Sequence, residues 1–198
     1  MDRAGDRING LIMVGAMVAV MWISEGVDAL LPANLDRYGV VPRTDDGLAG
    51  IPAAPFLHVG FGHLISNTVP FAAMGAAIAL GGLRRIALVT VIVALVSGLG
   101  TWLIAGAGSV HLGASGVVFG YGSYLLARGL FERNLVHLAT GVVVGLLFGG
   151  ALLGGLVPQD GISWQAHLFG ALGGVLAARL LARRRDGRAP RTGRPVTR

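Results

Sequence analysis

The 198-residue sequence contains no cysteine, and all 16 of its Lys+Arg residues are arginine. Without cysteine there are no disulfides, no thiolate metal ligands and no thiol nucleophile. Without lysine, Schiff-base chemistry is excluded. Charge is scarce as well: Asp, Glu, Lys and Arg make up 13% of the chain, about half the ~25% of an ordinary soluble domain. Such a chain lacks the polar side chains to cover a surface in water, which excludes a soluble globule. What it has instead is apolar and small, with 54% hydrophobic residues, 33 glycines and a mean hydropathy of +0.70. Glycine and alanine at this density let helix axes approach closely in lipid. The composition therefore predicts an all-α, polytopic integral membrane protein. The all-arginine, Ala/Gly-rich usage fits a GC-rich bacterial genome.

A membrane-crossing helix needs ~20 mostly apolar residues, and the sequence offers six candidates. The first runs from Ile8 to Ile23, reaching Leu31 if it carries Glu25 and Asp28 at its outer end. The others are His63–Leu80, Ile86–Ile104, Gly113–Ala127, Leu135–Leu156 and Gln165–Ala182. Fourteen of the sixteen arginines fall on one side of these spans, and only Arg37 and Arg43 on the other. The positive-inside rule then predicts that both termini are cytoplasmic. The domain reading is a six-span membrane body, residues 1–182, followed by a basic cytoplasmic tail, 183–198, expected to be disordered. The basic tail is a topology signal and a contact for anionic lipid; nucleic acid is not needed to explain it.

Two outward segments stand apart. Residues 32–57 form a long loop with four prolines, whose second half, Gly47–Leu57, is apolar enough to lie partly embedded in the membrane interface. Span four is short: fifteen residues at 1.5 Å each reach only ~22 Å of a ~30 Å hydrocarbon core. With Arg128 pinning its cytoplasmic end, Gly113-Ala114-Ser115-Gly116 lies below the outer surface. Irregular backbone at that depth requires burial in protein or a wet cavity, so a cavity open to the outside is predicted, with Ser115 at its floor.

Polar side chains at membrane depth are costly and mark function. The few present fall at the outer ends of spans two, four and six: His58, His63 and Asn67, then Ser115, then His167. Ser115 opens a helix, where unpaired N–H groups face a developing oxyanion, and His167 supplies a base for its hydroxyl. Small-residue stripes, Gly116-xxx-Gly120 on span four and Ala166-xxx-Gly170-xxx-Gly174-xxx-Ala178 on span six, would bring the two together. His63 and Asn67, four apart, share a helical face and carry donors suited to an oxyanion. His58 reads equally as a structural hydrogen-bonder or an accessory to catalysis, and His111 and His137 as structural or solvated. Zinc held by His58, His63 and His167 is the other reading of these residues, but no carboxylate lies at that depth in spans two, four or six and no His-Glu-x-x-His occurs. Asp160, the acid nearest to His167 in sequence, reads as facing water, which leaves a Ser–His dyad.

His58-Val-Gly-Phe-Gly-His63-Leu-Ile-Ser-Asn67, Gly113-Ala114-Ser115-Gly116 and Ala166-His167-Leu168-Phe169-Gly170 together resemble the rhomboid intramembrane serine proteases, in order and spacing, over nearly the whole chain. The chain reads as the minimal six-span bacterial form. Its outer loop has Leu35–Arg43 where better-known bacterial members have a Trp-Arg pair. The resemblance implies Ser115 as nucleophile and His167 as general base. It implies an oxyanion hole from His63, Asn67 and the Ser115 N–H, with no metal or cofactor. Gly113 and Gly116 would shape the nucleophile loop, Gly170 and Gly174 match the glycines after the family's histidine, and Phe119 stands where an aromatic packs on that histidine. The implied partners are transmembrane helices of substrate proteins within the lipid bilayer, in a bacterial plasma membrane. They would carry small residues before the scissile bond and helix-weakening residues after it, reaching the site between spans two and five. A catalytically silent relative that binds client helices is the alternative, although such a protein usually lacks the serine or the histidine.

Overall fold

A computed structural model describes residues 3–31, 34–159 and 161–182; Pro32, Asp160 and the tail 183–198 lie outside them. Among the described residues there are seven α-helices and no strand: α1 (Arg3–Leu30), α2 (Asp45–Gly50), α3 (Gly60–Ala79), α4 (Leu83–Ile104), α5 (Ser115–Glu132), α6 (Leu135–Gly154) and α7 (Trp164–Leu180). Each of the six apolar segments becomes a long helix. Three of these, α1, α4 and α6, are long and apolar enough to cross a membrane by length and composition alone. The polar residues sit on the others, which lowers their hydropathy: His63 and Asn67 on α3, Arg128 and Glu132 on α5.

The core forms around α5, packed against α7, with α4 lying against both. The close approach has a steric cause. A Cβ at Gly170 would overlap the Gly116 carbonyl oxygen, and one at Gly174 would overlap that of Gly120. On its other flank α5 meets α4, where a Cβ at Gly120 would run into Val93. Only helices built from glycine at these positions can touch backbone to backbone. Tyr121, Tyr124, Phe71, Met21 and Leu64 fill the remaining interior, and the buried Tyr121 hydroxyl is satisfied by Thr90 Oγ1 at 2.6 Å.

The exterior is the reverse of a soluble protein's. On α6 only Gly141 and Val144 are buried, while Leu135, Val136, Leu146, Leu147 and Leu153 are exposed. A face of this kind is stable against lipid and would aggregate in water. α6 packs on α5 and leaves an apolar cleft of about 460 Å³ between itself and α3.

Span four differs from its sequence expectation. The helix starts at Ser115 as anticipated but continues to Glu132, so Arg128 lies one turn inside it and is buried. Its charge is tolerated there because Glu132 accepts from its Nε at 3.1 Å. The outer loop is folded, through α2 and two 3₁₀ turns. Thr44 caps α2 by accepting from Gly47 N, and Trp102 Nε1 on α4 donates to the Thr44 carbonyl at 2.8 Å. A two-bond bridge between Val40 and His111 ties the loop to the α4–α5 connection.

Candidate active site

The approach to α5 is fastened residue by residue. Gly113 takes φ +111°, a backbone state glycine adopts freely, and its α-carbon faces the His63 ring so closely that a Cβ would sit 2.6 Å from His63 Cε1. Its N–H donates to the Ala54 carbonyl at 2.8 Å. The next N–H, on Ala114, donates to His58 Nε2 at 3.3 Å. That bond puts the His58 ring proton on Nδ1 and sets the ring against the backbone of the loop. Ser115 is then the first helical residue, and its own N–H has no carbonyl one turn back to bond.

His167 lies in the first turn of α7. Ser163 caps that turn, accepting from Ala166 N at 3.4 Å and, through its carbonyl, from His167 N at 3.1 Å. The imidazole Nδ1 stands 2.7 Å from the Gly155 carbonyl oxygen, and Nε2 stands 2.8 Å from Ser115 Oγ. A carbonyl can only accept, so Nδ1 carries the proton and the Nε2 lone pair faces the serine hydroxyl. Phe119 stacks on the imidazole at 4.0 Å between centroids with 5° between planes, fixing the ring's remaining freedom. These contacts aim an unprotonated ring nitrogen at the Ser115 hydroxyl without a carboxylate behind it.

Ser115, His167, Phe119, His63 and Asn67 all line one cavity of about 810 Å³. Asn67 Nδ2 donates to the His63 carbonyl at 3.1 Å, which uses one of its two amide hydrogens and leaves the other. The structure thus brings the hydroxyl, its base and the proposed oxyanion donors to one wall-lined space. His58 and Gly113 stand directly behind it, and Gly116, Gly170 and Gly174 make the helix contact that carries it. Nε2 of His58 is turned to Ala114 and that of His167 to Ser115. Among the described residues no three His, Cys, Asp or Glu side chains form a metal-binding group.

Two participants were not visible in the sequence. Gly155, just past the end of α6, supplies the carbonyl that orients His167; a Cβ there would lie 2.7 Å from Phe119 Cζ and 3.0 Å from His167 Nδ1. For His111, read as structural or solvated, the hidden part was its partners: its Nδ1 pairs with Ser163 Oγ at 2.7 Å and its Nε2 with Ser109 Oγ at 2.8 Å. It joins the loop before Ser115 to the cap of the helix bearing His167.

Residues 47–184 match the family model of the Rhomboid domain. Protein Rv1337 of Mycobacterium tuberculosis, described as uncharacterized, is 43% identical over 173 residues, covering 83% of this chain and 72% of its own. ML1171 of Mycobacterium leprae, likewise described, is 40% identical over 182 residues, covering 87% and 72%. YdcA of Bacillus subtilis, named as a candidate rhomboid protease, is 30% identical over 133 residues, covering 67% and 66%. A domain match of that extent, over a helical membrane body, identifies the chain as a member of the rhomboid family.

Proposed function

We propose that the protein is an intramembrane serine endopeptidase that cleaves peptide bonds in or beside the transmembrane helices of other membrane proteins. The observation that carries this reading is the Ser115 Oγ–His167 Nε2 contact of 2.8 Å, with the imidazole proton held on the far nitrogen by Gly155. A substrate segment unwinds into the cavity, because a helical amide keeps its carbonyl bonded. Ser115 Oγ attacks that carbonyl carbon as its proton passes to His167 Nε2. The oxyanion is met by the Ser115 N–H with His63 and Asn67. His167 gives the proton to the leaving amine, and the C–N bond breaks to leave an acyl-serine. Water from the cavity, deprotonated by His167, then releases the acid and restores the hydroxyl.

The apolar helices and the arginine asymmetry support six crossings of a bacterial plasma membrane. Both termini, including the tail 183–198, then lie in the cytoplasm and the cavity opens on the outer side. The cleft between α3 and α6 is the side from which we assign entry to an incoming helix.

The test uses purified protein in liposomes with a fluorophosphonate probe and a single-span substrate carrying an Ala-Gly juxtamembrane segment. Labelling and cleavage are expected in the native chain. Ser115→Ala and His167→Ala should each lower cleavage by on the order of 10⁴-fold or more. Tight helix binding with neither labelling nor cleavage would overturn the protease reading in favour of a client-binding protein. Cleavage that survives Ser115→Ala would overturn the serine mechanism.

A further inference from the structure

At the end of the bundle opposite the Ser115–His167 pair, a second cavity of about 460 Å³ opens between the start of α1, the α3–α4 turn and the α5–α6 turn. Four guanidiniums line it, from Arg3, Arg7, Arg85 and Arg128, against two carboxylates, Asp6 and Glu132. Both carboxylates are already engaged. Asp6 accepts from Leu83 N at 3.2 Å, capping α4. Glu132 accepts from Arg85 Nη1 at 2.9 Å and Arg128 Nε at 3.1 Å, and His137 Nδ1 stands 2.6 Å from it. The Arg85, Arg128 and Glu132 side chains are only 7–11% exposed. The lining therefore carries two formal positive charges in excess, one within the buried Arg85–Glu132–Arg128 group, where uncompensated charge is costly, and one among the more exposed Arg3, Arg7 and Asp6.

The donors point to the class of ligand. Each guanidinium carries five N–H groups in a rigid fork, yet Arg128 uses Nε and Arg85 uses Nη1 in the bonds described. All four arginines line a space in the ~300–1,000 Å³ range of small-ligand pockets. Forked donors of this kind suit the paired oxygens of a phosphate. The geometry points to a phosphate-binding site, whose natural occupant is the headgroup of an anionic phospholipid reaching in from the leaflet on the arginine-rich side. The site is independent of the hydrolytic reading and is measurable on protein with Ser115 replaced.

The experiment follows thermal unfolding of the full chain in zwitterionic detergent, titrated with phosphatidylglycerol, phosphatidylcholine or inorganic phosphate. Arg3 and Arg7 are exposed, so the R3Q/R7Q pair leaves the buried Arg85–Glu132–Arg128 group intact. Phosphatidylglycerol should raise the Tm well beyond phosphatidylcholine. R3Q/R7Q should weaken its apparent affinity about fivefold per arginine. The control pair R133Q/R179Q removes equal charge outside the cavity and should change it by less than about twofold. Protection by inorganic phosphate that is equally sensitive to R3Q/R7Q would support the site with a free phosphate as its occupant. Equal losses from both pairs, or no protection by either phosphatidylglycerol or phosphate, would overturn it.

Discussion

Gly155 contributes no side chain, yet its carbonyl decides which nitrogen of His167 is free to act. Replacing it with alanine sets a methyl 2.7 Å from Phe119 and 3.0 Å from the imidazole, which must move the base. Gly155→Ala should lower kcat on the order of 10²-fold while leaving the substrate KM nearly unchanged. His63→Ala and Asn67→Ala each remove a donor that strengthens only as negative charge develops. Each should cost ~10²–10³-fold in kcat, read with the same single-span substrate. His111 gives a pH signature outside the helices: burial holds its pKa below the ordinary histidine value. The folded protein therefore resists protonation that the unfolded chain accepts. Stability from this group is complete above ~6.5 and is lost as the pH falls from there through the lowered pKa. A Tm-against-pH profile between 7.5 and 5 should be flatter for His111→Gln than for the native chain. At this scale the sequence grouped Ser115, His167, His63 and Asn67, because topology puts the outer ends of even-numbered spans at one depth, and the four do line one cavity. Gly155 stayed hidden because a backbone acceptor has no residue-type signature. His111 was read only as structural or solvated because its serine partner, Ser163, is 52 residues away.

The α5–α7 pair shows which glycines matter to an element and which do not. A Cβ at Gly170 would overlap the Gly116 carbonyl, whereas Gly149 and Gly150 on α6 have nothing within 4 Å. Gly170→Ala should therefore destabilise the protein by ~1–3 kcal/mol as the helices are forced apart. Gly149→Ala should be neutral or stabilising by up to ~1 kcal/mol, since glycine is a poor helix former. Detergent-solubilised Tm values for the two variants check the contrast. The facing stripes were legible because spacing by four residues marks one helical side. The end of α5 was not, since an arginine in sequence reads as a boundary until its partner is known. Arg128 stays inside because Glu132, Arg85 and Tyr124 form a bonded group around it, a group assembled from three separate turns of two helices.

Over the whole molecule, the buried and lipid-facing helices divide the labour. α5 and α7 hold Ser115 and His167 against α4, while α6 rests on α5 with most of its surface bare. Ala77 and Val143 both line the cleft between α3 and α6, and the chain's lack of cysteine makes cross-linking there free of background. An Ala77→Cys/Val143→Cys variant joined by a bis-maleimide should lose cleavage of a single-span substrate yet keep fluorophosphonate labelling, since the small probe enters from water. Loss of both would show that the bridge had damaged the site itself. The helical membrane body and the arginine bias were readable from composition and spacing. The cleft was not, because it depends on how far two apolar faces stand apart, and apolar faces look alike in sequence. The position of Gly155 at the end of α6 carries one more consequence. An outward swing of α6 that carried Gly155 with it would withdraw the acceptor that sets the imidazole tautomer, and access and reactivity would then work as an interlock: the base disarmed while the door stands open and re-armed as it shuts on its guest.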